Sequence, residues 1–369
     1  MYSQNELDDA VAAGAITAEA AAALRAHIEG QGSGSRVDDE QFRLLTGFND
    51  IFVSIAAAIL LFAVAWIGQW LGNKVGLTVD HDGPSPLAPL AVAATSWGLA
   101  LFFTAKRRMA LPSILLLLAF VGGVFATAAF GLVMSAGTDQ FDHNPQLFGI
   151  LGAIAGAVAA GAAWLHWKRF RVPITIAAGA ASVAAIAVGL LIAALGGDPE
   201  NSHDLILGFV LLLGIGTFLF AMWWDASDRA RVTRRADVAF WLHLLAAPMI
   251  VHPIFTLLGL NNNSATVSEG FVVVLLYVVL GITALAIDRR ALLVSALAYV
   301  LFALQQLFRE FGAVELNVAL TALVIGSALL LLSAFWHQAR AAVVQPLPKG
   351  LRERLPIVDR PRASPQPAA

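Results

Sequence analysis

Apolar stretches of membrane-spanning length alternate along most of this chain with short polar links. A bilayer core of ~30 Å needs ~20 apolar residues of helix, because each backbone N–H and C=O inside it must be paired internally. About ten segments meet that length: 51–71, 87–105, 111–135, 147–167, 173–195, 204–224, 238–259, 270–287, 291–308 and 314–336. The pattern predicts an all-α fold, a polytopic transmembrane helix bundle. The division at 270–308 is the least marked, since Asp288, Arg289 and Arg290 alone separate those two segments.

Basic residues orient the spans. All Lys and Arg except Lys74 and Arg309 fall in the N-terminal region, in every second link, or in the tail from Arg340 onward. Cytoplasmic loops carry that excess, so both termini are expected in the cytoplasm, which requires an even number of spans. Trp164, Trp167, Trp223, Trp224, Trp241 and Trp336 lie near the basic ends and Trp66 and Trp70 near the opposite one. That is where amphipathic rings anchor at the headgroup level. The residues before the first span are polar and acidic, unlike a cleavable signal, which leaves the first span as the insertion signal.

The expected organisation is a helical hairpin over 1–30, a linker and interfacial segment over 31–49, ten spans over 50–337, and a Pro-rich basic tail over 338–369. In the hairpin, Ser3 and Glu6 form a capping box. Gly14 ends the first helix and Thr17 caps the second, which carries Ala21, Leu24 and Ile28. So few apolar side chains cannot hold a core alone, so the hairpin is expected to pack on a protein partner or a second copy. In the tail, Lys349, Arg352 and Arg354 beside Leu351 and Leu355 suit anionic headgroups, and disorder is expected beyond Val358.

Four basic links precede outward-going helices: KRRMALPSILLL, KRFRVPITIAA, RRADVAFWLHLL and DRRALLVSAL. Their spacing of about 55–65 residues suits a duplicated helical hairpin; an alternating topology without duplication gives the same rhythm. In the fourth span, Gly152-x-x-x-Gly156 and Ala157-x-x-x-Gly161 allow close helix approach, with the Ala-rich fifth span around Gly179 as partner.

With 59% hydrophobic and 13% charged residues and a mean hydropathy of +0.76, the composition departs from soluble proteins. It excludes a soluble enzyme and a nucleic-acid binder with a basic face. The absence of cysteine removes disulfides, thiolate metal sites and cysteine nucleophiles. No zinc, P-loop, nucleophile-elbow or dinucleotide motif is present, so neither an enzymatic activity nor a cofactor is indicated. No Asp, Glu, Lys or Arg falls near the middle of a span, which disfavours a carboxylate-driven ion relay.

The most polar span is the seventh, FWLHLLAAPMIVHPIF. His243 and His252 lie on it with Pro248 between them and Pro253 just after. Nine positions at ~100° each set the histidines half a turn apart on a straight helix. Either a proline kink gathers them around a polar cavity that takes a ligand or a proton, with this span as a broken element, or each bonds a neighbouring helix. Two histidines without a third ligand do not complete a tetrahedral metal site. Gln305, Gln306 and Asn317 cluster at the outer ends of the ninth and tenth spans, where they line a pocket with His252 or simply wet the helix ends.

The opening L-x-x-A-V-A-A-G-A-I-T-A-E-A (from Leu7) and the closing LPKGLRERLP (from Leu347) resemble a group of bacterial predicted membrane proteins defined by a domain of unknown function. The resemblance implies a multi-pass protein of the bacterial cytoplasmic membrane and assigns no site residues. Two functions follow: binding or transport of a small or lipophilic molecule around the seventh span, or a membrane scaffold or sensor that docks a partner through residues 3–30.

Overall fold

The structure is a computed structural model that describes residues 11, 13–24, 48–81, 83–138, 144–196, 202–229, 231, 233–259, 267–290, 293, 297, 301 and 317–357. The chain divides into two compact units, Met1–Phe42 with Ile357–Ala369, and Arg43–Pro356. In the first, Gly14 adopts φ +70° and Thr17 Oγ1 accepts from the Ala20 N–H at 3.1 Å. The predicted stop and cap thus both form, and Ala21 is buried. Ser3, Glu6, Ile28 and the interfacial segment lie outside the described residues.

Helix is the regular structure of the second unit's described residues, with turns between the helices. Its helices are α1 (Phe48–Val75), α2 (Leu87–Phe103), α3 (Ala110–Ala136), α4 (Pro145–Phe170) and α5 (Ile174–Leu195). They continue with α6 (His203–Ser227), α7 (Arg234–Leu257), α8 (Val267–Ile287), α9 (Asn317–Ala334) and α10 (Trp336–Val344). Among the described residues six helices, α1 and α3–α7, are long and apolar enough to cross a membrane, seven if α9 and α10 make one bent span. This is the make-up of a multi-pass membrane protein. Helices α2 and α8 coincide with the second and eighth predicted segments but are shorter as apolar helices. The ninth segment lies almost entirely outside the described residues. The tenth does not run straight to its end: at Phe335 the chain turns by 76° into α10.

Each described helix hairpin is punctuated alike. Gly76, Gly137, Gly196 and Gly259, which follow α1, α3, α5 and α7, have φ between 62° and 84°. Arg108, Arg171, Arg231 and Asp288 occupy the basic links after α2, α4, α6 and α8. They are the non-glycine residues of positive φ among the described residues, at 53–56°. A left-handed residue at a helix C-terminus is common, but a non-glycine one is not. The four lie one to five residues past the ends of their helices, so they share the basic links rather than a single cap position.

The core is built pair by pair. Ala57 and Leu61 of α1 pack with Ala100 of α2 and Leu116 of α3. Leu117, Phe120 and Val121 of α3 then meet Ala159, Ala162 and Ala163 of α4. Helix α4 lies so close to α5 that a Cβ on Gly149 would fall 2.5 Å from the Gly189 carbonyl oxygen. The contact face therefore runs through Gly149, Ala153 and Gly156. Gly152 and Gly161, the partners assigned from spacing, face open space, because helical rotation places them off the contact stripe. The α4–α5 pairing itself is as expected.

Helix α7 is the most enclosed of the long helices, with half of its most apolar window buried. Val238 and Leu242 pack with Ala177 of α5 and Ala221 of α6. Val251 and Phe255 pack with Val273 of α8 and Ile325 of α9. Both prolines lie inside one continuous helix, so α7 is not a broken element. Pro253 has no N–H for the Met249 carbonyl four residues earlier. Gly214 of α6 sits against that carbonyl, where a Cβ would come within 2.9 Å.

Candidate functional site: a buried charge cluster at the basic end

Helix α6 buries one stripe, Leu207, Gly214, Ala221 and Asp225. Steps of seven, seven and four residues keep that stripe facing α7, and its last member is a carboxylate. The sixth segment was expected to end at Trp224, leaving Asp225 outside. The helix instead continues to Ser227, and the Asp225 side chain has no exposed surface.

Helix α7 and the link after α8 supply its partners. His243 of α7, also fully buried, places Nε2 3.0 Å from Asp225 Oδ2. Arg289, immediately after α8, donates from Nη2 to Asp225 Oδ1 at 2.6 Å and from Nε to Oδ2 at 3.3 Å. This fork is the guanidinium–carboxylate geometry that matches two donors to two acceptors. Arg289 Nη2 also donates to the Ala236 carbonyl at 3.1 Å, and its guanidinium lies over the Phe240 ring. Phe218 packs edge-on against the His243 ring. With Nε2 donating to the carboxylate, Nδ1 of a neutral His243 is a bare lone pair. Among the described residues it has no hydrogen-bond partner.

A second cluster adjoins the first through Arg289. Asp288 Oδ2 accepts from Arg231 Nη1 at 2.7 Å, and Oδ1 accepts from the Trp336 indole at 2.8 Å. Arg340 Nε lies 3.7 Å from Asp288 Oδ1. Arg231 Nη2 also caps the end of α8, donating to the carbonyls of Ile287 and Asp288. Two of the non-glycine left-handed residues thus bind each other, which explains why side chains stand where glycine would be less strained. Burial by itself would raise the Asp288 carboxyl, but Arg231, Arg340 and the Trp336 indole outweigh it and hold the group below the usual carboxylate range. Burial, reinforced by Arg289, brings the Arg231 guanidinium down to about 10 against the pull of Asp288 and Asp225, so it stays charged at neutral pH.

The turn after α10 completes this end. Arg340 Nη2 donates to the Pro356 carbonyl, and Arg229 donates to the carbonyls of Leu355 and Arg352. Residues 336–356 therefore lie against the α6–α7 and α8 ends. Trp336 is 3% exposed and is a hydrogen-bond donor in the cluster, not a headgroup anchor. Trp66, Trp70, Trp164 and Trp223 remain exposed, as anchors would be.

Of the residues singled out in the sequence, His243 belongs to the cluster. His252 is exposed and Pro248 is exposed, while Pro253 is buried. The half-turn between the two histidines persists, so the helix does not bring them together. Gln305 and Gln306 lie outside the described residues, and Asn317 is the first residue of α9. Among the described residues no group of three or more His, Asp or Glu is placed to hold a metal ion.

Asp225, Asp288, Arg231 and Arg289 escaped sequence reasoning because each sits at a span end, where polar residues are ordinary. The available signal was acid in the basic links after α6 and α8, where those after α2 and α4 hold bases alone. A second buried histidine, His166 of α4, bonds Thr175 of α5 at 3.2 Å between Trp97 and Phe170. Comparison with protein-family models, curated proteins and solved structures finds no match to this chain.

Proposed function

We propose that this is a ten-span protein of the bacterial cytoplasmic membrane, with both termini cytoplasmic, that binds or moves a small or lipophilic molecule. It would belong with the predicted membrane proteins it resembles. Helix α7 is the working element of this reading, and His243 is its reactive group. The observation that carries it is a fully buried carboxylate inside a span-length helix, held by His243 of α7 and by Arg289 from the link after α8. A buried ionisable group is costly unless paired, and in membrane helices such groups mark pathways or relays. His243 retains a lone pair that can take a proton or a ligand donor. The burial of His243 and the exposure of Pro248 and His252 support a site at the His243 half of α7.

The scaffold or sensor reading, with a partner docked on residues 3–30, draws support from the separate compactness of the N-terminal unit. A thermal-shift screen of the detergent-purified chain against ions, quinones, phospholipids and small metabolites decides between them. The wild type is compared with His243→Gln and with Asp225→Asn. A compound that stabilises the wild type and neither variant supports the binding site. Equal shifts in all three, or none in any, overturn it and direct attention to deletion of residues 1–35. Asp225→Ala should be poorly stable, since an uncompensated buried arginine costs about 3–5 kcal/mol.

A further inference from the structure

Helix α10 and the residues after it form an arm at the basic end of the bundle. The 76° turn at Phe335 sends α10 across the direction of α9. Its stripe of Trp336, Arg340 and Val344, about one helical turn apart, is buried, whereas His337, Gln338 and Ala342 are exposed. Beyond Val344 the chain doubles back, and Arg340 Nη2 meets the Pro356 carbonyl at 2.8 Å.

The two ends of the arm are fastened differently. At α10 the hold is deep: the Trp336 indole donates to Asp288 at 2.8 Å, and the Arg290 guanidinium lies 4.7 Å from the Trp336 ring centre. At the far end Leu355 and Pro356 are buried, but residues 349–354 before them are exposed. There Arg229, half-buried in the link after α6, donates from Nε to the Leu355 carbonyl at 3.0 Å and from Nη2 to the Arg352 carbonyl at 3.1 Å. Hydrogen bonds at a wet rim exchange for water at small net cost, and segments with few buried side chains are the first to open. Pro346 and Pro348 stiffen the joint, so the far end swings as a unit.

The arm also touches the charge cluster. Arg340 stands 3.7 Å from Asp288, which binds Arg231, and the next residue, Arg289, carries the fork to Asp225. Arg229 follows Asp225 by four residues, so the hold on the arm and the buried carboxylate share one helix end.

We infer that residues 336–356 are a latch that closes the basic end over the Asp225–His243–Arg289 site, with Arg229 as its catch. The latch opens when Arg229 releases the Leu355 and Arg352 carbonyls, and the site then becomes reachable from that end.

The test labels single cysteines in the full detergent-purified chain, which has none of its own. Ala236→Cys reports on the site, since the Ala236 carbonyl accepts from Arg289 and the residue is 7% exposed. Ala57→Cys, buried among α1, α2 and α3, reports on the bundle elsewhere. Uncharged N-ethylmaleimide labels both, at rates that follow the open population. In Arg229→Gln the rate at Ala236→Cys should rise at least about tenfold, the factor one charge-assisted hydrogen bond supplies, with the rate at Ala57→Cys unchanged. Arg354→Gln, which removes a charge from an exposed position on the same arm, should change neither rate. An unaltered rate at Ala236→Cys in Arg229→Gln overturns the inference. So does an equal rise at Ala57→Cys, which marks loosening of the whole fold, or an equal rise in Arg354→Gln. The latch's role as a gate rests on the site proposed at His243, but labelling needs no ligand. A thermal-shift screen without a hit would remove the site and leave the latch, and unaltered labelling beside a hit would do the reverse.

Discussion

Asp288 shows how much one side chain's surroundings govern its role. As read in the sequence it divides two spans; in the structure its carboxylate accepts from Arg231 and Trp336 and faces Arg340. Because its folded pKa is held below the unfolded value of about 3.9, ionisation of Asp288 stabilises the fold at all pH values above that point. The stabilisation is lost as pH falls through the depressed folded value. Melting temperatures measured from pH 6 down to pH 3 should therefore fall less steeply in Asp288→Asn than in the wild type, from a lower start. Parallel acid limbs would place the acid sensitivity elsewhere. Residue identity predicts a charge, but only the neighbours tell whether that charge is solvated or locked.

At the level of the element, periodicity identifies helices well and contact faces less well. The sequence placed a small-residue interface on the fourth span and chose the fifth as partner, which the structure bears out. The spacing rule selected Gly156, which lies on the contact face, but also Gly152 and Gly161, which do not; the closest backbone approach is at Gly149 and Gly189. A small-x-x-x-small pattern recurs around a helix this rich in Gly and Ala, so it does not distinguish one face from another. Gly149→Ala should lower stability by about 1–3 kcal/mol through overpacking. Gly152→Ala, with nothing within 4 Å of the new Cβ, should be neutral or stabilising by up to about 1 kcal/mol. Melting temperatures of the two variants in one detergent make the comparison, and equal losses would refute the assigned face. Proline in α7 gives the same lesson: the sequence locates Pro248 and Pro253, but whether they break the helix depends on what lies beside the freed carbonyls.

At the scale of the whole molecule, the charge alternation and the non-glycine left-handed residues fall in the same links. Basic residues cluster at one end of each hairpin, and the non-glycine left-handed residues sit inside those clusters. The native chain lacks cysteine, so single-cysteine variants report topology on an unaltered background. With the proposed orientation, Lys106→Cys and Arg234→Cys should be shielded in intact cells from an impermeant maleimide, and Asn73→Cys should be labelled. Labelling of all three, or the reverse pattern, would refute the orientation.

Composition, hydropathy and basic-residue placement are sums over local segments. They are legible without a fold because bilayer thickness and backbone hydrogen bonding leave a long apolar segment little choice but helix. From them follow the helical class, most element positions, the Gly14 stop, the Thr17 cap and the α4–α5 pairing. The assembly of Asp225, His243 and Arg289 from two helices and a link, the Trp336–Asp288 bond and the 76° turn at Phe335 belong to the tertiary structure alone. Each depends on the rotation of one helix about its axis relative to another, and that angle is set by packing between residues far apart in the chain.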